Sequence, residues 1–471
     1  MLEHYELVVV GAGPAGMAAA LEAQKQGVSS VLLVDRNSFL GGILPQCIHD
    51  GFGLTEFRAS LTGPEYATRY AEFLQREGIE CLRDTTVVNI EKGKHHTVTL
   101  SGPVCGFAKI TTDAVIIATG CRERTIGQMR IPGSRPAGVY TAGAVQYMMN
   151  RQNFLPGKSA VILGTGDVGL IMARRLTLEG VNVKLIVGKD PGCLLRNYIT
   201  CVRDFEIPFK LGYTVISTHG HKRLKGVTVA PISPDGVIDE SQKEYIPCDT
   251  VVVAAGLIPE TELWSRVDEE LNQFKGVPVD SQMASPVAGI FACGNVVQVY
   301  DTADLVSEMG RTAGRAAARY IKTRVHEQEG TFSLSTGGRK LTTEDMTDCS
   351  KRIVCTMCPL GCVMSVSAHG EGLEVTGNRC PRGITFAYDE WADPQRMLTS
   401  TVRIMGADCP LLPVRTAHEV SLDYFDMFVA LCRKIDVTAP VHMGDVIRSA
   451  TDDFPVDIIA TATFTSSVCN D

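Results

Sequence analysis

Four of the chain's 16 cysteines crowd into one stretch, Cys355-x2-Cys358-x3-Cys362-x17-Cys380. Three closely spaced thiolates can cap one face of an iron-sulfur cubane and a distant fourth can close it, with Pro359 and Pro381 stiffening the loops. Zinc also accepts four thiolates, but structural zinc sites usually pair two Cys-x2-Cys knuckles, and this stretch has one. The spacing points first to a 4Fe-4S cluster, with zinc and simple thiols as alternatives.

Two glycine-rich turns carry a different chemistry. In Gly11-Ala12-Gly13-Pro14-Ala15-Gly16 the glycines permit a tight turn, let backbone N–H groups approach a pyrophosphate and allow a helix to pack on the preceding strand. Asp35 follows Gly11 by 24 residues, where a carboxylate accepts hydrogen bonds from a ribose hydroxyl. Gly164-Thr165-Gly166-Asp167-Val168-Gly169 repeats the pattern, but the same count reaches Gly188 and then Lys189, with no carboxylate. That weakens a ribose clamp for NAD. Lys189 could instead pair with a 2′-phosphate of NADP; NAD, NADP and no nicotinamide all stay open.

The elements that must position these turns are short β-branched runs bounded by Gly, Asp or Pro, at 6–10, 31–34, 115–118, 160–163, 183–187 and 250–254. They predict buried parallel strands. Helix-length stretches at 14–26 and 167–179 alternate with them, the signature of doubly wound α/β units. Two units begin about 150 residues apart, so the first 325 residues hold an internal duplication. Residues 330–351 are polar and Gly/Ser/Thr-rich, a candidate linker. Beyond it lie strands at 397–404 and 456–464 and an amphipathic helix around 424–434.

With 45% hydrophobic and 21% charged residues over 471 positions, the chain can bury more than one core. A formal charge of −8 and the lack of a basic block argue against nucleic acid as a partner, and no apolar run reaches the length of a membrane span. The opening MLEHYELVVVGAGPAG reads as a first strand rather than an export signal, which predicts a cytoplasmic protein. In that compartment the cysteines are thiols, ligands or redox centres rather than a disulfide framework. Cys81, Cys105, Cys121, Cys193, Cys201 and Cys248 are expected to be buried packing residues. His95/His96 and His219/His221 fall in polar stretches expected to be exposed.

Gly41-Gly42 after the acid, the strand ending Ala118-Thr119-Gly120, and the late Gly289-Ile-Phe-Ala-Cys-Gly294-Asn295-Val296 complete a pattern. It resembles the two-dinucleotide-binding-domain flavoproteins of the pyridine nucleotide-disulfide oxidoreductase superfamily over residues 1 to about 325. The resemblance implies an FAD fold in which Gly11, Gly13, Pro14, Ala15, Gly16, Asp35, Arg36, Gly41, Gly42, Val87, Ala118, Thr119 and Gly120 meet the dinucleotide. Gly294, Asn295 and Val296 would face the ribityl chain and flavin, with Asn295 replacing the family's Asp. It also implies an NAD(P)-type fold around Gly164, Gly166 and Gly169, inserted into the first. The implied domains are 1–122 and 259–326 for FAD, 123–258 for the insertion, 327–350 for the linker and 351–471 for a small α+β cysteine-cluster domain. The dithiol pairs of the disulfide reductases and thioredoxin reductases are missing. The run after Gly42 instead supplies one thiol, Cys47, and an imidazole, His49. Cys47 could make a thiolate contact with the flavin and His49 could move a proton to or from it; alternatively both merely line the pocket.

Finer runs, 41–54, 61–67, 122–125, 131–143 and 293–301, resemble FAD-dependent oxidoreductases encoded with glycerol-3-phosphate dehydrogenase-like flavoproteins of anaerobic bacteria. More distantly they resemble the flavin subunits of opine and cyanide-forming amine dehydrogenases. The resemblance implies a partner flavoprotein dehydrogenase subunit. Residues about 350–465 resemble a domain-of-unknown-function family found beside the same flavoproteins, and the cysteines resemble the cluster-binding start of molybdopterin oxidoreductases. The expectation is an FAD-dependent oxidoreductase subunit that converts two-electron into one-electron transfer. Its rivals are a self-sufficient NAD(P)H:acceptor oxidoreductase and an assembly module with structural zinc.

Overall fold

The computed structural model describes residues 1–324, 339–342, 352–358, 360–369 and 372–466. Contacts divide the chain into two compact units, one of 1–122 with 257–336 and one of 123–256 with 337–471.

The first unit is built on β1 (His4–Val10), β2 (Val31–Val34), β3 (Glu80–Leu82), β4 (Thr86–Glu91), β5 (His96–Gly102) and β6 (Gly106–Ile117), in spatial order β3-β2-β1-β6-β5-β4. The strand Ile290–Ala292 adds alongside β6. β1 runs parallel to both β2 and β6, with Val8 opposite Leu32 and Val115. Helices cover the sheet, so its central strands have no water-facing side and read as unbroken apolar runs. Between β1 and β2 lies α1 (Pro14–Lys25), with Pro14 at its first turn, where a missing N–H costs nothing. Across α1 lies the helix Ala303–Thr323. A Cβ on Gly310 would lie 2.1 Å from the Ala15 carbonyl and one on Gly314 2.5 Å from that of Ala19, so small residues set this close crossing.

The second unit carries a five-stranded sheet whose order is Phe209–Leu211, Asn182–Gly188, Ser159–Leu163, Thr250–Val253, Val139–Thr141, again parallel. Its helix Asp167–Leu178 follows the second glycine turn. The C-terminal portion is β-rich. A three-stranded sheet of Arg352–Val354, Val363–His369 and Gly372–Thr376 leads into the helix Pro381–Ala392. A five-stranded sheet follows, ordered Asp436–Thr438, Thr399–Met405, Leu411–Thr416, Ile458–Ala460, Val446–Arg448. The helix expected around 424–434 spans Phe425–Cys432, preceded by a 3-10 turn.

Most of the expected linker lies outside the described residues, but 339–342 do not behave as a free tether. The Leu195 N–H donates to the Arg339 carbonyl at 3.0 Å and that of Leu341 to the Cys193 carbonyl at 3.0 Å. Leu341 is buried in the same core as Ile162, Leu176 and Val354. One leucine among polar neighbours was enough to anchor this stretch. A second tie is ionic: Arg396 bonds Glu390 through Nη1 at 2.7 Å and Nη2 at 2.8 Å, and Asp204 through Nε at 3.0 Å, with all three side chains buried.

Candidate functional site

The first glycine turn is held open by its own backbone. Gly11 has φ +104°, and a Cβ there would sit 2.4 Å from the Ala118 carbonyl. Gly16 has no room either, its Cβ position lying against the Gly11 carbonyl. Gly13 differs, because nothing lies within 4 Å of its Cβ position. That open face, at the N-terminus of α1 with Pro14, Ala15 and Gly16 following, is a cradle of the shape a pyrophosphate fills. Gly42, at φ +60°, borders it, with a Cβ position 3.0 Å from the Gly13 Cα. The Gly41 N–H donates to the Ala12 carbonyl at 2.8 Å.

Asp35 is buried, and its carboxylate braces the cradle: Oδ2 accepts from the Ala12 N–H at 2.6 Å and Oδ1 from the Asn37 N–H at 2.8 Å. Each oxygen keeps a second lone pair for a ribose hydroxyl. Arg36 is exposed beside it, and Val87 packs half-buried on the core. Ala118 and Gly120, the latter at φ +74°, follow the end of β6, where the Thr119 hydroxyl donates to the Glu260 carbonyl at 2.8 Å. Gly294, Asn295 and Val296 form a 3-10 turn, with Gly294 at φ +76°. Asn295 Oδ1 accepts from the Tyr300 N–H at 3.0 Å and its Nδ2 donates towards Cys121 Sγ at 3.5 Å, so the amide braces its own loop. These residues fit an FAD: a glycine cradle with room, an anchored acid, and a second turn whose Gly294 packs on Ala15 of α1.

Cys47 and His49 sit on the excursion between Gly42 and α2 (Gly63–Arg76). Cys47 is buried, its N–H donating to the Leu44 carbonyl and its carbonyl accepting from the Gly63 N–H, both at 2.9 Å. The His49 ring packs on Phe52 with centroids 5.0 Å apart. The excursion is pinned by residues that sequence reasoning missed. Asp304 Oδ1 accepts from the Gly53 N–H at 2.9 Å and Oδ2 from the Thr55 N–H at 2.7 Å, while Arg311 pairs with Glu56 at 2.6 Å. The only sequence signal for Asp304 is its place as an acid in the first turn of a helix, which ordinarily reads as a dipole partner.

The second glycine turn repeats the backbone geometry but not the clamp. Gly164 has φ +123°, and Gly166 is as open as Gly13, while Gly169 packs on the Gly164 carbonyl. At Gly188, where an acid would stand, the Cβ position lies 2.5 Å from Thr165 Cγ2 and Oγ1. Thr165 thus fills the place of the missing side chain. Lys189 is exposed. Asp167 Oδ1 accepts from the Leu194 N–H at 2.7 Å and from Asn197 Nδ2 at 2.8 Å. The open glycine turn is present, and position 188 carries no ribose carboxylate.

The four clustered cysteines share one neighbourhood, although among the described residues no three of their sulfurs lie within 4.8 Å of one another. Cys355 follows one strand of a hairpin and Cys362 precedes the next, with the Cys355 N–H donating to the Cys362 carbonyl at 2.9 Å. Burial pushes the Cys355 thiol up, and Cys358, Cys362 and Cys380 are all near enough to raise it further. Cys380 caps the helix Pro381–Ala392, where the Gly383 N–H and Arg382 hold its thiol below the ordinary range. Beneath them Cys355, Met364, Phe386 and Ala387 form a small core. Four thiols, one set at a helix N-terminus, suit a thiolate-ligated centre.

The family model described as pyridine nucleotide-disulphide oxidoreductase matches residues 5–313, well over half of the chain. The chain belongs to that family. Family members are FAD-dependent oxidoreductases with paired FAD and NAD(P) folds. A second model, described as a protein of unknown function (DUF1667), matches residues 381–462. That match falls within the residues, about 350–465, where such a family was expected, and begins just after Cys380. Among relatives, hydrogen cyanide synthase subunit HcnB of Pseudomonas protegens is 29% identical over 287 residues, 56% of this chain and 59% of that protein. An opine oxidase subunit of Rhizobium meliloti is 28% identical over 325 residues, 62% of this chain and 59% of that protein. The chain thus spans 59% of the length of both. Thioredoxin reductase from T. acidophilum shares the fold, with a TM-score of 0.57 at 22% identity over 68% of this chain and all of that one.

Two further expectations are revised in this family member. Of the isolated thiols, Cys193, Cys201 and Cys248 are buried, but Cys81, Cys105 and Cys121 are only partly so. His96 is buried rather than exposed: it opens β5 opposite Thr112, which turns its ring inward, and burial lowers its pKa. Among the described residues no helix is long and apolar enough to cross a membrane.

Proposed function

We propose that this chain is the FAD-bearing, electron-transferring subunit of a dehydrogenase, exchanging electrons between a partner of the glycerol-3-phosphate dehydrogenase-like kind and a one-electron acceptor. The observation that carries the reading is that Cys355, Cys358, Cys362 and Cys380 share one neighbourhood in a chain whose other unit has an open FAD cradle. Bound FAD would supply two-electron chemistry that can also proceed one electron at a time, and a 4Fe-4S cluster on the four thiolates would supply one-electron transfer. Gly13 and the α1 N-terminus receive the pyrophosphate and Asp35 the ribose. Cys47 and His49 lie on the excursion that follows Gly41-Gly42, where a thiol and an imidazole can hold or move a proton at the flavin edge. The partner is favoured over NAD(P)H as electron source because Thr165 occupies the ribose-acid position at Gly188. Two relatives named as subunits, those of hydrogen cyanide synthase and opine oxidase, support a multi-subunit setting.

A second reading, a self-sufficient NAD(P)H:acceptor oxidoreductase, rests on the open cradle at Gly166. Anaerobic purification with metal and flavin analysis tests both. The expected result is about four irons per FAD, with slow flavin bleaching by NADH alone. Rapid bleaching by NADH without a partner selects the second reading. One zinc and no iron would sink the electron-transfer account and leave an assembly role.

A further inference from the structure

We propose a zinc-class metal site, distinct from the cysteine cluster, formed by His4, His95 and Asp113 with an open fourth position for water. His4 lies at the start of β1, Asp113 on β6, and His95 in the turn between β4 and β5. One ligand atom from each lies within 4.8 Å of the others. His4 Nε2 is 3.6 Å from Asp113 Oδ2, and His95 Nδ1 is 2.6 Å from Asp113 Oδ1. Tetrahedral zinc with N and O ligands separates neighbouring ligand atoms by about 3.3 Å, so small side-chain movements bring this set to coordination distance. His4 Nδ1 is engaged with the Thr111 hydroxyl at 3.0 Å, an outer partner of the kind that fixes the ring and leaves the other nitrogen for a cation. The two imidazoles stand edge to face, with centroids 5.4 Å apart, so their planes do not block a shared ion.

Two imidazoles and one carboxylate select a nitrogen-preferring, late first-row divalent ion over magnesium or calcium. The site lies at the opposite end of β1 from Gly11, about 20 Å away along a strand of this length, so it takes no part in flavin chemistry. It would tie β1, β6 and the β4–β5 turn together at an end of the sheet that no dinucleotide braces. Its competitor is Arg324, whose Nη2 lies 2.8 Å from Asp113 Oδ1. A metal must displace that guanidinium, which makes the assignment testable from both sides.

The experiment is an anaerobic cobalt(II) titration of the full chain, read by its visible d–d bands. Cobalt held by thiolates adds strong near-ultraviolet charge transfer; cobalt held by imidazole and carboxylate does not. We expect a component without thiolate charge transfer that persists in Cys355→Ser, weakens at least tenfold in His4→Ala or His95→Ala, and tightens severalfold or more in Arg324→Met. FAD content checks that each variant is folded. Identical titrations of the parent and His95→Ala would overturn the site, and unchanged affinity in Arg324→Met would overturn Asp113 as a ligand.

Discussion

Replacing Arg396 by Met strands two carboxylates. In the parent, Asp204, Glu390 and Arg396 have side chains only 7–8% exposed, and the guanidinium makes three bonds of 2.7–3.0 Å to them. Arg203 remains, but at 3.7 Å from Asp204 and 3.8 Å from Glu390 it cannot take over those bonds. Removing one partner of a buried ionic cluster costs about 3–5 kcal/mol, equivalent to a rise of roughly 10²- to several 10³-fold in the opening equilibrium that amide exchange reads. Hydrogen–deuterium exchange over 195–205 and 381–397 is the assay, because it reads local opening without assuming a single transition for a two-unit chain. The pH dependence has a definite sign. Burial already pushes the Asp204 carboxyl up, with Arg396 opposing it, and losing Arg396 raises it further. A carboxyl whose folded value exceeds its unfolded value binds more protons when folded, so the variant's deficit shrinks as pH falls through the raised value towards about 4. The triple variant Asp204→Asn/Glu390→Gln/Arg396→Met should recover much of the loss. Exchange within threefold of the parent, or a deficit that does not change with pH, would refute the reasoning.

Other outcomes follow from the same geometry. Gly11→Ala places a Cβ 2.4 Å from the Ala118 carbonyl at φ +104° and should yield protein purified without FAD, scored by the ratio of flavin to protein absorbance. Asp304→Asn loses the carboxylate that accepts from Gly53 and Thr55, and should weaken FAD binding by about 1–2 kcal/mol, roughly 5- to 30-fold in Kd, in a fluorescence titration. Gly188→Asp should not create NADH binding, because its Cβ meets Thr165; adding Thr165→Gly should be needed before calorimetry detects any gain. In metal-free protein at pH 7, Cys380 should alkylate before Cys355, since the Gly383 N–H and Arg382 favour its thiolate while burial disfavours that of Cys355; mass-spectrometric mapping of an iodoacetamide time course decides.

The local code of this chain is strong where chemistry and backbone coincide. Gly11, Gly16 and Gly164 had to be glycine because a carbonyl occupies each Cβ position, and the β-branched runs within 6–10, 115–118 and 250–254 had to be buried strands because their Val, Leu and Ile side chains favour burial away from water. Those signals depend on neighbours in sequence, so the doubly wound folds, the two cradles and the clustered thiols were legible from residue types and spacing alone. What the tertiary structure decided depends on residues far apart in the chain. Asp304 reaches back to Gly53, Thr165 fills the space at Gly188, and Leu341 turns part of an expected linker into core. Arg396 gathers Asp204 and Glu390, and His4, His95 and Asp113 meet at one sheet end. None of these has a spacing of its own, because each exists only once the strands are in register. The sequence therefore determined the two dinucleotide folds and their glycine turns; the packing decided which side chains brace those turns and which ribose position is filled.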